Sequence, residues 1–302
     1  MGFRAGSYDA AVAASFSAGE IVGVQPAEKM RDVLIEHGVA CVRLDAPLDD
    51  DEARTVAALM GPIKDPVGRT RDGSTMRYSE ERQIIDAGFV LTEELREQLG
   101  DVNFGGLDSQ RPGLFETYHT DDTYTEQPCW ITWLHARELP SGPGGATRFL
   151  DMRGAYATLE PELRARLIGL RAAYSYNNRN AFPPRVSAEG PFEALVDVTH
   201  PIVRAHPVTG TPALYIDLDR ATHIEGVPEA EGRALLQALQ DHAEANAPRY
   251  AHEWQPHDVL MWDNASVQHK ASGDFPLGEP RRFWRYMISG PIPNAWRPAN
   301  SR

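Results

Sequence analysis

Behind Pro26, the stretch AEKMRDVLIEHG spaces its apolar residues three and four apart and ends on Gly38, which predicts a helix with a glycine stop. VACVRL, residues 39–44, is short and rich in β-branched and small apolar residues, the pattern of a buried strand. A second helix is predicted from Asp51 to Met60, ended by Gly61-Pro62. This opening reads as scaffold. Residues 65–113 are polar and rich in Gly, Arg and Asp. They predict loops with a short helix near Thr92–Leu99, either a cover over a site or irregular surface.

From residue 114 the pattern turns strand-rich. CWITWLHAREL (129–139) packs β-branched and aromatic residues densely, as a buried strand does. Further strands are predicted at Leu170–Tyr176, Pro201–Ala205, Ala213–Asp217, Val259–Trp262 and Arg282–Ser289. SGPGG (141–145), HPVTGTP (206–212) and GDFPLGEP (273–280) punctuate them as turns. One clear helix, Glu229–Asn246, interrupts the series and ends before Pro248. Many short strands and few helices predict a mainly β architecture, closed or double-sheet, with peripheral helices. No shift in composition marks a boundary, so the expectation is a single domain over residues 1–302.

Composition narrows the class. Hydrophobic residues are 42% and charged residues 24% of the chain, which is globular and excludes disordered or collagen-like chains. Thirty Lys plus Arg against 43 Asp plus Glu give a formal charge of −13, a poor surface for nucleic acid. No apolar run approaches the roughly 18 residues of a membrane span, and the N-terminus lacks an apolar signal-peptide region. Cys41 and Cys129 are too few for a disulfide scaffold or a cysteine-built zinc site, and predict buried thiols in a reducing cytoplasm.

The chemistry concentrates in two places. In Tyr118-His119-Thr120-Asp121, a strand would turn His119 and Asp121 to the same face, an imidazole beside a carboxylate. One more histidine completes a two-histidine, one-carboxylate facial triad, which holds Fe(II) and leaves its other face open. An H-x-D pair alone is a common accident. The far end of the chain, residues 254–290, adds His269 as a natural third ligand and Arg281 twelve residues later. A guanidinium forks onto a carboxylate through two parallel hydrogen bonds, which suits a dicarboxylate co-substrate. The bland alternative for Arg281-Arg282 is a solvated basic pair next to a turn. His135, His200, His206, His223, His252 and His257 sit in no ligand motif and read as structural or solvated; Trp130 and Trp133 read as core. Asp122 and Tyr124 either line the pocket or, for Asp122, face solvent.

These segments together resemble the taurine/dichlorophenoxyacetate dioxygenase family of Fe(II)- and 2-oxoglutarate-dependent oxygenases. The likeness runs from about residue 114 to 292 and is weaker over the first 60 residues. It is carried by YHTDDTYTEQP (118–128), GGATRFLDMRGAYATLEPELR (144–164), HPIVRAHPVTGTPALYID (200–217) and WDNASVQH (262–269), then R-x-x-x-R at Arg281 and Arg285. The resemblance implies a double-stranded β-helix, the cupin-like jelly-roll of two sheets. It implies His119, Asp121 and His269 as iron ligands, and Thr147 and Arg281 as the partners of the distal carboxylate of 2-oxoglutarate. Arg285 matches an arginine that anchors an acidic group in several family substrates. Its even spacing from Arg281 on a strand turns both to one face, where the guanidinium would meet an anionic group of the substrate, unless an internal acid such as Asp217 or Asp219 already neutralises it. Tyr118 stands where the family usually has Trp, Phe115 where taurine-type members carry an amide, and Arg220 where they carry an aromatic ring; Tyr176 keeps an aromatic. These four would shape the substrate pocket and disfavour taurine itself.

The expected activity follows from that resemblance: oxidation, by default hydroxylation, of an unactivated C–H bond of a small anionic organic molecule. Fe(II) and O₂ take part, and 2-oxoglutarate is decarboxylated to succinate and CO₂. Desaturation or cyclisation would use the same triad. Halogenation is disfavoured because Asp121 fills the position that chloride needs. A non-catalytic metal-dependent binding protein is the alternative of a different class, and a cupin-like isomerase or zinc hydrolase would leave Thr147 and Arg281 without purpose. The expected partners are a small molecule, with neither nucleic acid nor membrane; a homo-oligomer stays open.

Overall fold

The scaffold at the start of the chain forms as its pattern predicts. The structure, a computed structural model, describes residues 18–65, 76–79, 84–90, 117–175, 197–272, 274–276 and 278–298. Strand β1 (Gly19–Val22) precedes helix α1 (Ala27–His37), strand β2 (Val39–Arg43) and helix α2 (Asp50–Leu59). Gly38 ends α1 in the left-handed region at φ 75°, with its N–H on the Leu34 carbonyl. Asp49 opens α2 with a capping box to Glu52.

Strands β3 (Met76–Ser79) and β4 (Ile84–Val90) lie in the stretch expected to be loops, so that expectation is corrected. They pair with each other, and β4 pairs with the last strand, a long-range contact that the polar composition of residues 65–113 conceals. The helix expected near Thr92–Leu99 lies outside the described residues.

Strand β5 (Cys129–Glu138) leads to β6 (Thr147–Asp151), then helices α3 (Met152–Ala157) and α4 (Pro161–Leu167). These two helices were not expected between the strands. Strands β7 (Arg171–Tyr174), β8 (Val198–Pro201), β9 (Val203–Ala205), β10 (Pro212–Leu214) and β11 (Ala221–Ile224) follow. Helix α5 (Glu229–Asn246) has the predicted bounds. Strands β12 (Arg249–His252), β13 (Val259–Asp263), β14 (Val267–Ala271) and β15 (Pro280–Ser289) close the chain.

A seven-stranded sheet in the order β1-β2-β13-β5-β15-β4-β3 faces a three-stranded sheet β12-β6-β14. Period-two alternation sorts the large sheet's side chains. Ile131, Trp133, Met261, Tyr286 and Ile288 pack outward under α1 and α2, with Met30, Leu34, Val56 and Met60. Leu134, Leu260, Trp262 and Phe283 point the other way, onto Phe149 and Val267 of the small sheet. The small sheet's far face, through Leu150, joins β7, β9, β10, β11 and Leu235, Leu236 and Leu239 of α5. The fold is therefore a mainly β double-stranded β-helix with helices outside, and its strands form separate sheets without closing into one barrel. The space between the two sheets holds the polar residues that follow. No helix among the described residues is long and apolar enough to cross a membrane.

Candidate metal centre and co-substrate pocket

In the small sheet, His269 of β14 pairs directly with Phe149 of β6, and Thr147 pairs with Ala271. His269, Phe149 and Thr147 therefore share the inner face. His119 joins β14 through an isolated antiparallel bridge. Its N–H donates to the His269 carbonyl at 3.0 Å, and His269 N–H returns the bond at 2.9 Å. Directly opposed residues project side by side, which leaves the two imidazole centroids 4.3 Å apart.

The expectation of a strand through His119 and Asp121 is corrected at this point. After the bridge the chain enters a turn, and Asp122 is left-handed at φ 58°. It is the turn, anchored by Asp121 N–H donating to Asn264 Oδ1 at 3.3 Å, that brings the Asp121 carboxylate to the imidazoles. Asp121 Oδ2 lies 3.7 Å from His269 Nε2. One ligand atom each from His119, Asp121 and His269 lie within 4.8 Å of one another.

The electrostatics suit a cation. Burial alone would raise the Asp121 carboxyl's pKa, but Arg285, the two imidazoles and the Thr132 hydroxyl outweigh it and hold it well below the usual range. Thr132 Oγ1 donates to Oδ2 and Arg285 Nη2 to Oδ1, each at 2.5 Å. Burial, against the pull of Asp121, lowers the His269 pKa to about 3, so its ring is neutral and has a lone pair to give. His119 Nδ1 lies 3.1 Å from the Thr117 carbonyl; donating there leaves Nε2 as the nitrogen that could ligate. Two imidazoles and an ionised carboxylate are a donor set that fits a first-row divalent metal with open positions.

Beside this cluster lies a second polar group. Arg281, buried, donates through Nε to the Gly145 carbonyl at 2.9 Å and through Nη2 to Thr147 Oγ1 at 3.3 Å. Trp254 Nε1 also donates to Thr147 Oγ1, at 3.1 Å. Gly145 has φ 72°, and a Cβ there would stand 3.3 Å from Arg281 Cδ and Nε, so glycine admits the guanidinium this closely. Burial lowers the Arg281 pKa to about 10, with Asp274 opposing. Among the described residues no carboxylate is within ion-pair distance of Arg281. A buried cation in that position fits a carboxylate from outside the chain.

The pairing of Arg285 differs from both acids considered for it. Its partner is Asp121, whereas Asp217 accepts the Thr123 hydroxyl at 2.7 Å and Asp219 that of Thr117 at 2.9 Å. Arg220 stacks over the Tyr124 ring at 4.8 Å. Tyr118 is turned the other way: it packs on the cluster under α5, beneath Lys270 Nζ at 4.5 Å, because neighbours on an extended chain face opposite sides. No contact among the described residues joins it to the three ligands. Phe115 and Tyr176 lie outside the described residues. Asp122 is buried rather than solvated, and bonds Lys64 and Tyr124.

Sequence reasoning gave no role to Thr132 or Asn264. Asn264 Nδ2 donates to Thr132 Oγ1 at 3.0 Å, so the two hold Asp121 between them. The signal was available in part: Thr132 alternates with the outward Trp133, and Asn264 stands in the WDNASVQH segment. A second buried group of potential donors, Cys41, His252 and Asp258, also exists. Arg43 Nη1 already binds both Asp258 oxygens, at 2.7 and 2.6 Å, and burial, with Asp258 adding, pushes the Cys41 thiol up to about 12. With a cation in place and no thiolate, this group is a structural knot. His206 Nε2, 2.6 Å from Asp263 Oδ2, forms another.

Comparison with known proteins agrees with this arrangement. The family described as "Taurine catabolism dioxygenase TauD, TfdA family" matches residues 10–287. The chain is 30% identical over 273 residues to an alpha-ketoglutarate-dependent 2,4-dichlorophenoxyacetate dioxygenase of Cupriavidus pinatubonensis, covering 89% of this chain and 88% of the relative. It is 29% identical over 225 residues to a pentalenolactone F synthase of Streptomyces arenae, with 70% of each chain covered. The crystal structure of AAD-2 with Mn(II) and N-oxalylglycine superposes with a TM-score of 0.72, over 92% of this chain and 97% of that one, at 23% identity, a likeness of fold. Fold and site define a non-haem iron, 2-oxoglutarate-dependent dioxygenase acting on a small organic molecule, with Fe(II) as its cofactor and 2-oxoglutarate and O₂ as its co-substrates. The chain belongs to the TauD, TfdA family.

Proposed function

We propose that His119, Asp121 and His269 hold the iron, and that Arg281 and Thr147 receive the distal carboxylate of 2-oxoglutarate. The observation that carries this is the shared inner face of β6 and β14, with His269 and Thr147 on alternate rungs of one ladder. Metal ligand and co-substrate anchor are thus fixed to the same rigid pair of strands. When bound, iron and 2-oxoglutarate supply oxygen activation, with succinate and CO₂ as co-products. The chain's own residues bind, orient and exclude: Phe149 and Trp262 pack on the His269 ring, with centroids 6.2 and 4.5 Å away, and keep that side dry. Thr132 and Asn264 fix the Asp121 carboxylate.

The prime substrate is a small anionic molecule, most simply a carboxylate. Arg285 supports this: it is half-buried, and its buried Nε has no hydrogen-bond partner among the described residues. Once Asp121 shares its charge with a metal, the guanidinium has capacity for a further anion. The Cupriavidus relative is named for a substrate of that kind, an aryloxyacetate. Hydroxylation is the default outcome. Cyclisation or desaturation is the second reading, favoured by the likeness to a synthase named for a cyclised product. The layer between the two sheets shares the large sheet with the layer under α1 and α2 and the small sheet with the layer under α5, which supports one domain. The test is succinate formation from 2-oxoglutarate with Fe(II) across a panel of aryl and alkyl carboxylates and their neutral amides. Stimulation by the acids and not the amides is expected; equal stimulation by the amides would contradict an anionic substrate.

A further inference from the structure

Two consecutive aspartates follow His119-Thr120, and only one faces the imidazoles. Asp122 is as buried as Asp121 but is turned aside by its left-handed backbone. Its Oδ2 receives Lys64 Nζ at 2.9 Å, and its Oδ1 the Tyr124 hydroxyl at 3.1 Å. Lys64 Nζ also donates to the Gln127 carbonyl at 2.7 Å and to Thr125 Oγ1 at 3.3 Å, so its three protons are all engaged. The lysine is itself anchored: its backbone N–H donates to the Met287 carbonyl at 2.7 Å, on β15 two residues beyond Arg285. Thr125 N–H closes the turn onto the Asp122 carbonyl at 2.9 Å. Arg285 is within electrostatic reach of both carboxylates.

We propose that Lys64 is a positioning residue that withholds Asp122 from the metal centre, so that Asp121 alone is presented to His119, His269 and Arg285. The proposal rests on the metal-centre reading above. Without the ammonium, Asp122 is a buried carboxylate with no cation of its own, a costly state. Arg285, already within its electrostatic reach, is then a cation it can compete for, and its neighbour Asp121 depends on that same arginine. Asparagine at position 122 removes that charge and still tolerates the left-handed backbone.

The experiment is a Co(II) titration of the full-length apoprotein, followed by visible absorption, with thermal melting alongside. Lys64→Met should tighten Co(II) binding by about tenfold or more, because losing a nearby positive charge and freeing a second carboxylate both favour a dication. Adding Asp122→Asn to that variant should bring the affinity back to within about threefold of the parent, because the freed carboxylate is gone. A salt bridge that serves stability alone would lower the melting temperature in both variants and leave Co(II) affinity unmoved. Affinity in Lys64→Met within about twofold of the parent, or a double variant as tight as Lys64→Met, would overturn the proposal, since each removes the predicted charge effect. If Lys64→Met does not fold, Lys64→Gln drops the charge, keeps a donor for Gln127 and Thr125, and carries the same two comparisons. His119→Ala separates the two levels: parent-like Co(II) binding there would refute the metal-centre reading itself.

Discussion

Arg285 Nη2 stands 2.5 Å from Asp121 Oδ1, so the arginine matched to substrate binding is bonded to the carboxylate matched to the metal. The contact makes one electrostatic unit of the metal ligand and the substrate anchor. Arg285 holds Asp121 ionised, and Asp121 in turn raises the Arg285 pKa against the effect of burial.

Arg285→Gln should therefore affect two steps. Losing a buried charged partner costs roughly 2–5 kcal/mol, so binding of an anionic substrate should weaken by at least about 30-fold. Metal affinity should fall less, because Thr132 still donates to Asp121. Steady-state KM for the substrate and a metal titration check the two effects separately. An unchanged KM together with unchanged metal affinity removes Arg285 from the site.

Arg281→Ala should raise the 2-oxoglutarate requirement sharply and leave metal affinity nearly intact, since Arg281 contacts Gly145 and Thr147 rather than the ligands. Thr147→Ala should act the same way but more weakly, by roughly 1 kcal/mol, as befits a neutral hydroxyl that Trp254 also binds. Apparent affinity for 2-oxoglutarate measures both. No change in the Arg281 variant would contradict the assignment.

Stability should fall on mild acidification. Burial lowers the pKa values of His135 and His200 from 6.5 to about 4. Their folded values lie below their unfolded ones, so their contribution is complete above pH 6.5 and is lost progressively as pH falls towards 4. Each contributes a slope of at most about 1.4 kcal/mol per pH unit in that window. Asp217 works the other way: burial and then Asp219 raise its pKa to about 6, and its contribution is lost as pH rises through that value. Two groups against one leave net acid sensitivity. Neither ring nitrogen of His135 has a partner, so His135→Leu should flatten the slope without a large loss at pH 7. Urea midpoints of the apoprotein between pH 4.5 and 7.5 check this; an undiminished slope in the variant would contradict it.

How much the sequence disclosed depended on the range of the interactions. Helix α5 and strand β5 were legible because their periodicity is local and long. β6 and β14 were not recognised as strands, since TRFLD and VQHKA are short and half polar. They are half polar because they carry the site: Thr147 and His269 face inward while Arg148 and Lys270 face out. The three candidate ligands were legible as a motif, but their geometry was not. The His119–His269 bridge spans 150 positions, and the turn at Asp122 needs a left-handed backbone that the sequence marks only by a residue that tolerates it. Thr132 and Asn264 were legible only as members of their segments, and Lys64 not at all, for a similar reason. Each supports Asp121 or its neighbour across the fold, from a segment whose local pattern is ordinary strand or loop.

The central claim is that His119, Asp121 and His269 bind one divalent metal. Calorimetric titration of the apoprotein with Mn(II), in parent and in the His119→Ala, Asp121→Ala and His269→Ala variants, tests it most directly, with circular dichroism to establish that each is folded. The account predicts one equivalent bound by the parent and affinity lost by orders of magnitude in every variant, because a two-ligand remnant of a three-ligand site holds its metal poorly. Full stoichiometry at parental affinity in any one of the folded variants would contradict it.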